Sequence, residues 1–275
     1  MPHAFLSLLC CVLMMVSGVV RVNTGTHSLR ANFLNGRTLR VMTYNIQHGA
    51  GTDQKLNLPK IAEVINREHP DLVGLQEVDR FVERTGRVDE IAELARETRM
   101  EYAFAYNLHY QGGQYGVAVL SRFPILSVDH RRYDNRREAR RRGFIRMEVS
   151  VGGQRVSFVT THLDYQYEDG RLFETEQLMK ALDEVKEPLI VVGDFNDLPT
   201  GSTYKLMRTK FDEAWEINGS ESGLSYPADK PKKRIDYIFY TKADGVKVKR
   251  AWIVDTLASD HRPVVADLEI KSGEK

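Results

Sequence analysis

Gly193-Asp194-Phe195-Asn196 closes the run Pro188 to Val192, an apolar stretch too short for a helix and rich in β-branched side chains. A buried strand of that kind is a rigid arm. In layered α/β proteins reactive groups sit just beyond the carboxyl ends of such strands, so Asp194 and Asn196 are delivered to a rim that a substrate can reach. The competing reading is a polar turn, because Asp and Asn close turns in many contexts. Other apolar runs end in the same way: Asn45 closes Thr38 to Tyr44, Glu77 closes Asp71 to Gln76, and His162 closes Arg155 to Thr161. Arg234-Ile235-Asp236-Tyr237 opens a further strand, and Ser259-Asp260-His261-Arg262-Pro263 immediately precedes the last one.

The hard oxygen donors of this set, Glu77, Asp260 and the amide of Asn45, suit Mg²⁺ or Mn²⁺, which keep several waters and bind through one or two carboxylates plus a phosphate. Zinc suits it less. Its closed sites use His and Cys, and here the candidate histidines are two while both cysteines, Cys10 and Cys11, fall in an N-terminal apolar run. Carboxylates that position or deprotonate water, and imidazoles that donate to charge growing on phosphorus, make such a set competent for phosphoryl chemistry. Asp236 stands in an otherwise apolar strand, where a carboxylate needs a partner. His261 is the natural one, since a carboxylate on one ring nitrogen fixes the tautomer and raises the basicity of the other. Taken singly, Glu77 is equally a surface turn, and His162 reads first as a structural histidine.

The positioning elements follow from periodicity. A strand is expected over Thr38 to Asn45, and a helix over Leu58 to Glu68 with Asn57 as N-cap, Pro59 in the first turn and Pro70 as the stop. A strand from Asp71 to Gln76 ending in Glu77 leads to a helix over Arg87 to Thr98 with Val88, Ile91, Leu94 and Ala95 inward. Antiparallel strands follow at 102–106, 115–120, 125–133, 144–151 and 155–161, with Gly112-Gly113 and Gly152-Gly153 as turns. A long helix over Glu168 to Val185, with Leu172, Leu178, Leu182 and Val185 buried, precedes the Gly193 strand. A short helix at 202–208, a Pro- and Lys-rich loop at 226–233 and strands at 235–240, 246–254 and 264–270 complete the chain. Two halves that each read strands, helix, strands bury their apolar faces best as two sheets packed face to face with helices outside.

Thr43-Tyr44-Asn45-Ile46, Leu75-Gln76-Glu77-Val78, Tyr115-Gly116 with Val119-Leu120-Ser121-Arg122-Phe123-Pro124, Thr161-His162-Leu163, Gly193-Asp194-Phe195-Asn196, Arg234-Ile235-Asp236-Tyr237-Ile238 and Ser259-Asp260-His261-Arg262-Pro263 occur in this order. Together they resemble the motif set of the endonuclease/exonuclease/phosphatase superfamily, the DNase-I-like fold, from about Leu39 to Ile270. The resemblance implies an α/β four-layer sandwich, two mainly antiparallel sheets between outer helices, in a metal-dependent hydrolase. It implies Glu77 as the principal metal ligand with Asn45 and Asp260 near the metal, and Asp194 as the group that orients or deprotonates water. Asn196 would hold the phosphate, His261 paired with Asp236 would contact it as acid, base or electrostatic stabiliser, and His162 would stabilise developing charge. Tyr115 and Arg142 would contact the substrate, and Arg171 is a further substrate-side candidate from its own place in the sequence. Val117 departs from the pattern, since many relatives carry asparagine after the Tyr-Gly pair.

Arg131 to Arg142 holds seven arginines. A solvated charged loop is the default for such a run, yet arginine forks near the rim suit phosphates or an anionic head group. Arg171 is likewise either a helix-surface charge or a rim contact, and His48 and His109 read as bystanders.

The 275 residues carry a net charge of +1 with 42% hydrophobic and 28% charged residues, which fits a globular chain without the global basic field of a dedicated duplex-binding protein. The apolar run Ala4 to Val20 fits a secretory signal, although only Pro2 and His3 precede it and neither is basic. A signal over 1–22, a linker over 23–37, a folded domain over 38–271 and a short tail over 272–275 are expected. The location is then secreted, periplasmic or cell-envelope, with an uncleaved anchor as the alternative. The expected activity is hydrolysis of a phosphodiester or phosphomonoester by direct attack of water. The substrate is open among nucleic acid, a phospholipid head group and a small or sugar phosphate. No long apolar hairpin lies between the motifs, which speaks against membrane-embedded sphingomyelinase-type action. A monomer without an obligate protein partner is expected. The rival reading is a non-catalytic phosphate- or anion-binding module on the same fold.

Overall fold

The computed structural model describes residues 19–22, 38–134, 141–219, 222–242 and 246–270. Most of the N-terminal apolar run, the 23–37 linker, the 272–275 tail and Arg136, Arg137 and Arg140 of the arginine run lie outside the described residues. In chain order the elements are β1 (Val19–Val22), β2 (Thr38–Asn45), α1 (Leu58–Glu68), β3 (Leu72–Arg80), α2 (Glu90–Thr98), β4 (Glu101–Tyr110), β5 (Gly113–Ser121), β6 (Ile125–Arg132), β7 (Gly143–Val151), β8 (Gln154–His162), α3 (Glu168–Ala181), β9 (Leu189–Asp194), α4 (Ser202–Lys210), β10 (Phe211–Glu213), α5 (Ala214–Asn218), β11 (Asp236–Thr241), β12 (Val246–Ile253) and β13 (Val264–Ile270). Among the described residues no helix is long and apolar enough to cross a membrane.

The strands form a seven-stranded sheet, β1-β4-β5-β3-β2-β13-β12, and a six-stranded sheet, β10-β11-β9-β8-β7-β6. Each is antiparallel except at its centre, where β2 pairs parallel with β3 and β8 parallel with β9. The sheets face one another across a core that includes Val41, Leu72, Val117, Phe158, Ile190, Val192 and Ile238. α1 and α2 cover the outer face of the larger sheet through Ile61, Val64, Ile65, Ile91 and Leu94. α3 and α4 cover the smaller through Leu178, Leu182, Tyr204 and Met207. The α/β four-layer sandwich is therefore the observed architecture.

Side chains alternate across a strand, so the residues that share the inner face with the core can be followed toward one end. Val41 gives way to Thr43 and Asn45, Leu72 to Gly74 and Gln76, Phe158 to Thr160 and His162, Ile190 and Val192 to Asp194, and Ile238 to Asp236. Apolar residues yield to small or hydroxylated ones, then to groups that can do chemistry. Gln76 joins the middle layer: its Nε2 donates to Thr160 Oγ1 at 2.7 Å across the two sheets and to Thr43 Oγ1 at 3.1 Å.

Several boundaries differ from expectation for identifiable reasons. α2 starts at Glu90 because Asp89 caps it, accepting from Ala92 N, and Val88 lies outside the helix, 37% exposed. α3 ends at Ala181 and leaves Leu172 and Val185 only partly buried. β3 does not stop at Glu77 but continues to Arg80 through an irregularity between Leu75 and Val78, where Glu77 takes φ of 59°. An extra residue at such a bulge re-aims its side chain. β10 and α5 were not expected at all. They place Ala214 and Trp215 against the inter-sheet core.

Candidate active site

Strand register brings the polar residues together. In the smaller sheet Asp194 pairs with His162 on one side and Asp236 on the other. In the larger, Asn45 ends β2 beside Gln76, and the loop before β13 carries Asp260 and His261. Gly193 makes the close approach possible: with φ of 157° it lies where a Cβ would run into the Thr161 carbonyl.

Asp194 is the centre. Its Oδ2 lies 3.6 Å from His162 Nε2 and 3.7 Å from His261 Nε2, and it accepts from Asn45 Nδ2 at 3.1 Å. Its Oδ1 accepts from Asn196 N at 2.9 Å, which fixes the turn that puts Asn196 at φ of 51°. His261 Nδ1 lies 2.9 Å from Asp236 Oδ2, which also accepts from Ser225 Oγ at 2.6 Å. On the far side of the cleft, Arg142 Nη1 donates to Tyr115 OH at 3.2 Å and lies 3.0 Å from His162 Nδ1. Asn196 Nδ2 lies 3.1 Å from His162 Nε2.

These neighbours set the charge states. Burial alone would lower His261; the charges of Asp236 and Asp194 outweigh it and push the ring up to about 10. Burial, then the Asp236 charge, push Asp194 up to about 7. Burial followed by the charges of Arg142 and His261 holds His162 well below the usual imidazole range. Burial raises Asp260, with Glu77 adding to it.

Asp194, Asp236 and His261 also form a compact metal-ligand-like trio. Two of its atoms are already engaged, His261 Nδ1 and the Asp236 oxygen that accepts from two donors. That trio is better suited to proton control. Glu77 and Asp260, the oxygen donors expected for a hard cation, lie close enough for the Glu77 charge to raise Asp260. Asn45 differs from a simple ligand: its Oδ1 accepts from Gln47 N at 3.1 Å, while its Nδ2 spans Glu77 Oε1 and Asp194 Oδ2 at 3.2 and 3.1 Å. One amide thus spaces two carboxylates that would otherwise repel. Gln47, which sequence reasoning passed over, has a buried amide oxygen with no partner and φ of 45°.

Other candidates fall elsewhere. Arg171 braces the loop beyond Asn196, donating to the Asp164 carbonyl at 3.2 Å and lying 4.0 Å from Asp197. Asp197 in turn caps α4. His109 packs against Tyr106 on β4, the two rings tilted by 41°. His48 lies closer than expected, its Nδ1 buried and its ring feeling Arg84, Asp79 and Glu77. Tyr226 was also missed; its ring lies 4.7 Å from that of His261. A lone tyrosine in a loop carries no periodic signal.

The sequence pattern of the Endonuclease/Exonuclease/phosphatase family matches residues 42–261, which span the site from β2 to His261. The chain belongs to this family. Among relatives, the Escherichia coli K12 protein named Uncharacterized protein YbhP is 27% identical over 252 residues, 85% of this chain and 97% of that one. A Caenorhabditis elegans protein named Putative neutral sphingomyelinase is 27% identical over 220 residues, 70% of this chain and 49% of that one. The structure of the Bacteroides thetaiotaomicron mannosyl-6-phosphatase Bt3783 superposes with a TM-score of 0.68 at 18% identity, covering 84% of this chain and 99% of that one. At that identity the likeness is one of fold.

Proposed function

We propose that the protein is a Mg²⁺- or Mn²⁺-dependent phosphoesterase that hydrolyses a phosphate ester by direct attack of water. The observation that carries this reading is the pair of imidazoles on either side of one buried carboxylate, Asp194, with one of them anchored by a second carboxylate, Asp236. Glu77 and Asp260 would hold the cation. When bound, such a cation neutralises phosphoryl and leaving oxygens.

The chain's own groups divide the remaining work. Asp194, poised near neutrality, orients water and takes its proton. His261, kept cationic by Asp236, faces the same region and stabilises negative charge on the phosphoryl group. His162 and Asn196 hold a phosphoryl oxygen, and Arg142 lies behind them. A binding module without catalysis would have no need of the Asp236–His261 pair. The sphingomyelinase and sugar-phosphatase names among the proteins it resembles support phosphate esters of lipids and sugars alongside nucleic acid as substrates.

Hydrolysis of a nitrophenyl phosphodiester in the presence of Mg²⁺, Mn²⁺ or EDTA tests the reaction. Turnover should require the metal and fall by about 10³-fold or more in Asp194→Ala and His261→Ala. Full metal-dependent turnover in either variant defeats the role assignment. Plasmid DNA, RNA, sphingomyelin, mannose 6-phosphate and inositol phosphates, with Glu77→Ala as the contamination control, resolve the substrate. The proposed location is outside the cytoplasm, reached through the N-terminal apolar run.

A further inference from the structure

Arg142 Nη1 lies 3.0 Å from His162 Nδ1, and chemistry fixes the direction of that bond. A guanidinium has only donors, so Nδ1 must offer its lone pair. A neutral imidazole carries one ring proton, which then sits on Nε2. Across the ring, Nε2 lies 3.1 Å from Asn196 Nδ2, and that amide nitrogen donates to the Leu163 carbonyl at 3.1 Å. From Arg142 to Leu163 the chain of contacts therefore holds one hydrogen too many. The Nε2–H and the second Asn196 N–H face each other, and neither can accept from the other. The carboxylate oxygen Asp194 Oδ2, at 3.6 Å from Nε2, is too far for a good hydrogen bond. Two converging N–H groups with no acceptor between them suit an oxyanion.

We propose that Arg142 is a positioning residue that locks His162 in its neutral Nε2–H form, making His162 a fixed hydrogen-bond donor to a phosphoryl oxygen and leaving proton transfer to Asp194. The assignment of that oxygen rests on the phosphoesterase reading; the lock itself does not. The groups facing His162 are Arg142 from the segment before β7, itself bonded to Tyr115 from β5, Asp194 and Asn196 from the end of β9, and His261 ahead of β13. Arg142 is 6% exposed and is held by the Tyr115 hydroxyl, so its fork is not free to swing away. Burial and the charges of Arg142 and His261 oppose a second proton on His162. The two imidazoles thus flank one carboxylate at nearly equal distance and are sent to opposite charge states by their partners. Asp236 makes His261 a cation, and Arg142 keeps His162 neutral.

Long-range proton–nitrogen correlation spectra of the full chain, labelled on histidine, metal-free and without substrate, read the tautomer directly; His162→Gln identifies the resonances. The wild type should show a single Nε2–H pattern for His162 from about pH 6 to 8. Arg142→Met should lose that pattern, with mixed tautomers or a second proton, and Arg142→Lys should restore it. An unchanged imidazolium pattern for His261 reports that the fold is intact. A wild-type His162 that carries Nδ1–H or both protons overturns the proposal, as does an Nε2–H pattern that survives Arg142→Met. If Arg142→Met does not fold, the wild-type spectrum still decides. With the nitrophenyl diester, kcat should fall about 10²-fold in Arg142→Met and recover in part in Arg142→Lys. Absence of turnover in the wild type would defeat the phosphoesterase reading and leave the spectra untouched.

Discussion

Gln76 in the larger sheet and Thr160 in the smaller are joined by a 2.7 Å hydrogen bond that crosses the inter-sheet gap one layer below Glu77 and Asp194. Both side chains are fully buried. The same amide reaches Thr43 Oγ1 and the Gly74 carbonyl, so three strands from two sheets meet at one side chain.

Gln76→Leu removes that junction and leaves buried hydroxyls without their partner. The expected loss is about 1–3 kcal/mol of folding stability, measured by urea unfolding. Combining it with Thr160→Val should cost less than the sum of the two single changes, because both delete the same bond. Strict additivity would show that the bond carries no stability.

Gly74 marks the closest approach of the sheets. A Cβ there would meet Val192 Cγ2 and stand 2.7 Å from Thr160 Oγ1. Gly74→Ala should destabilise by about 1–3 kcal/mol through overpacking, read from thermal melts. Val192→Ala added to it should recover part of the loss, since that methyl is one of the two groups in the way. A melting temperature unchanged by Gly74→Ala would mean that the sheets separate freely at this point.

Much of this framework was legible from pattern. β2, α1 and β13 follow the expected limits because Asn57 caps α1, Pro70 follows it, and the strands alternate cleanly. Asp236 announced its partner because a carboxylate in an apolar strand must have one. What pattern could not show was bulge geometry and depth. In sequence Glu77 looks like a strand end, whereas its positive φ inside β3 is set by two residues opposing too few on β5. Arg142 and Arg171 looked alike in sequence, yet one is buried against His162 and the other braces Asp164 and Asp197. β10 and α5 are too short to show a period and are held by packing of Ala214 and Trp215.

As the proposed cation ligand, Glu77 trades stability for its role. The Asn45 amide spans Glu77 and Asp194, and the Glu77 charge raises Asp260. In EDTA, Glu77→Gln removes a charge that repels Asp260 and should melt at or above the wild-type temperature. Metal should raise the wild-type melting temperature and leave the variant's unchanged, since a ligand that binds only the folded state stabilises it. Turnover of the nitrophenyl diester should fall by about 10³-fold. A metal-induced rise of equal size in the variant would place the cation elsewhere.

The Asp236–His261 pair makes stability depend on pH in a defined direction. Folding moves His261 from an ordinary 6.5 up to about 10, so the native state holds that proton more tightly than the unfolded chain does. The contribution is therefore fully present below about pH 6.5 and is lost as the pH rises through about 10. Asp236→Asn keeps an oxygen for Ser225 and the ring but removes the charge, and with it most of the upward shift. In EDTA, the wild type should exceed Asp236→Asn in melting temperature by the largest margin near pH 6, and the two curves should converge toward about pH 10. A margin that instead grows with pH would mean that His261 is neutral in the native state, and that Asp236 merely orients it.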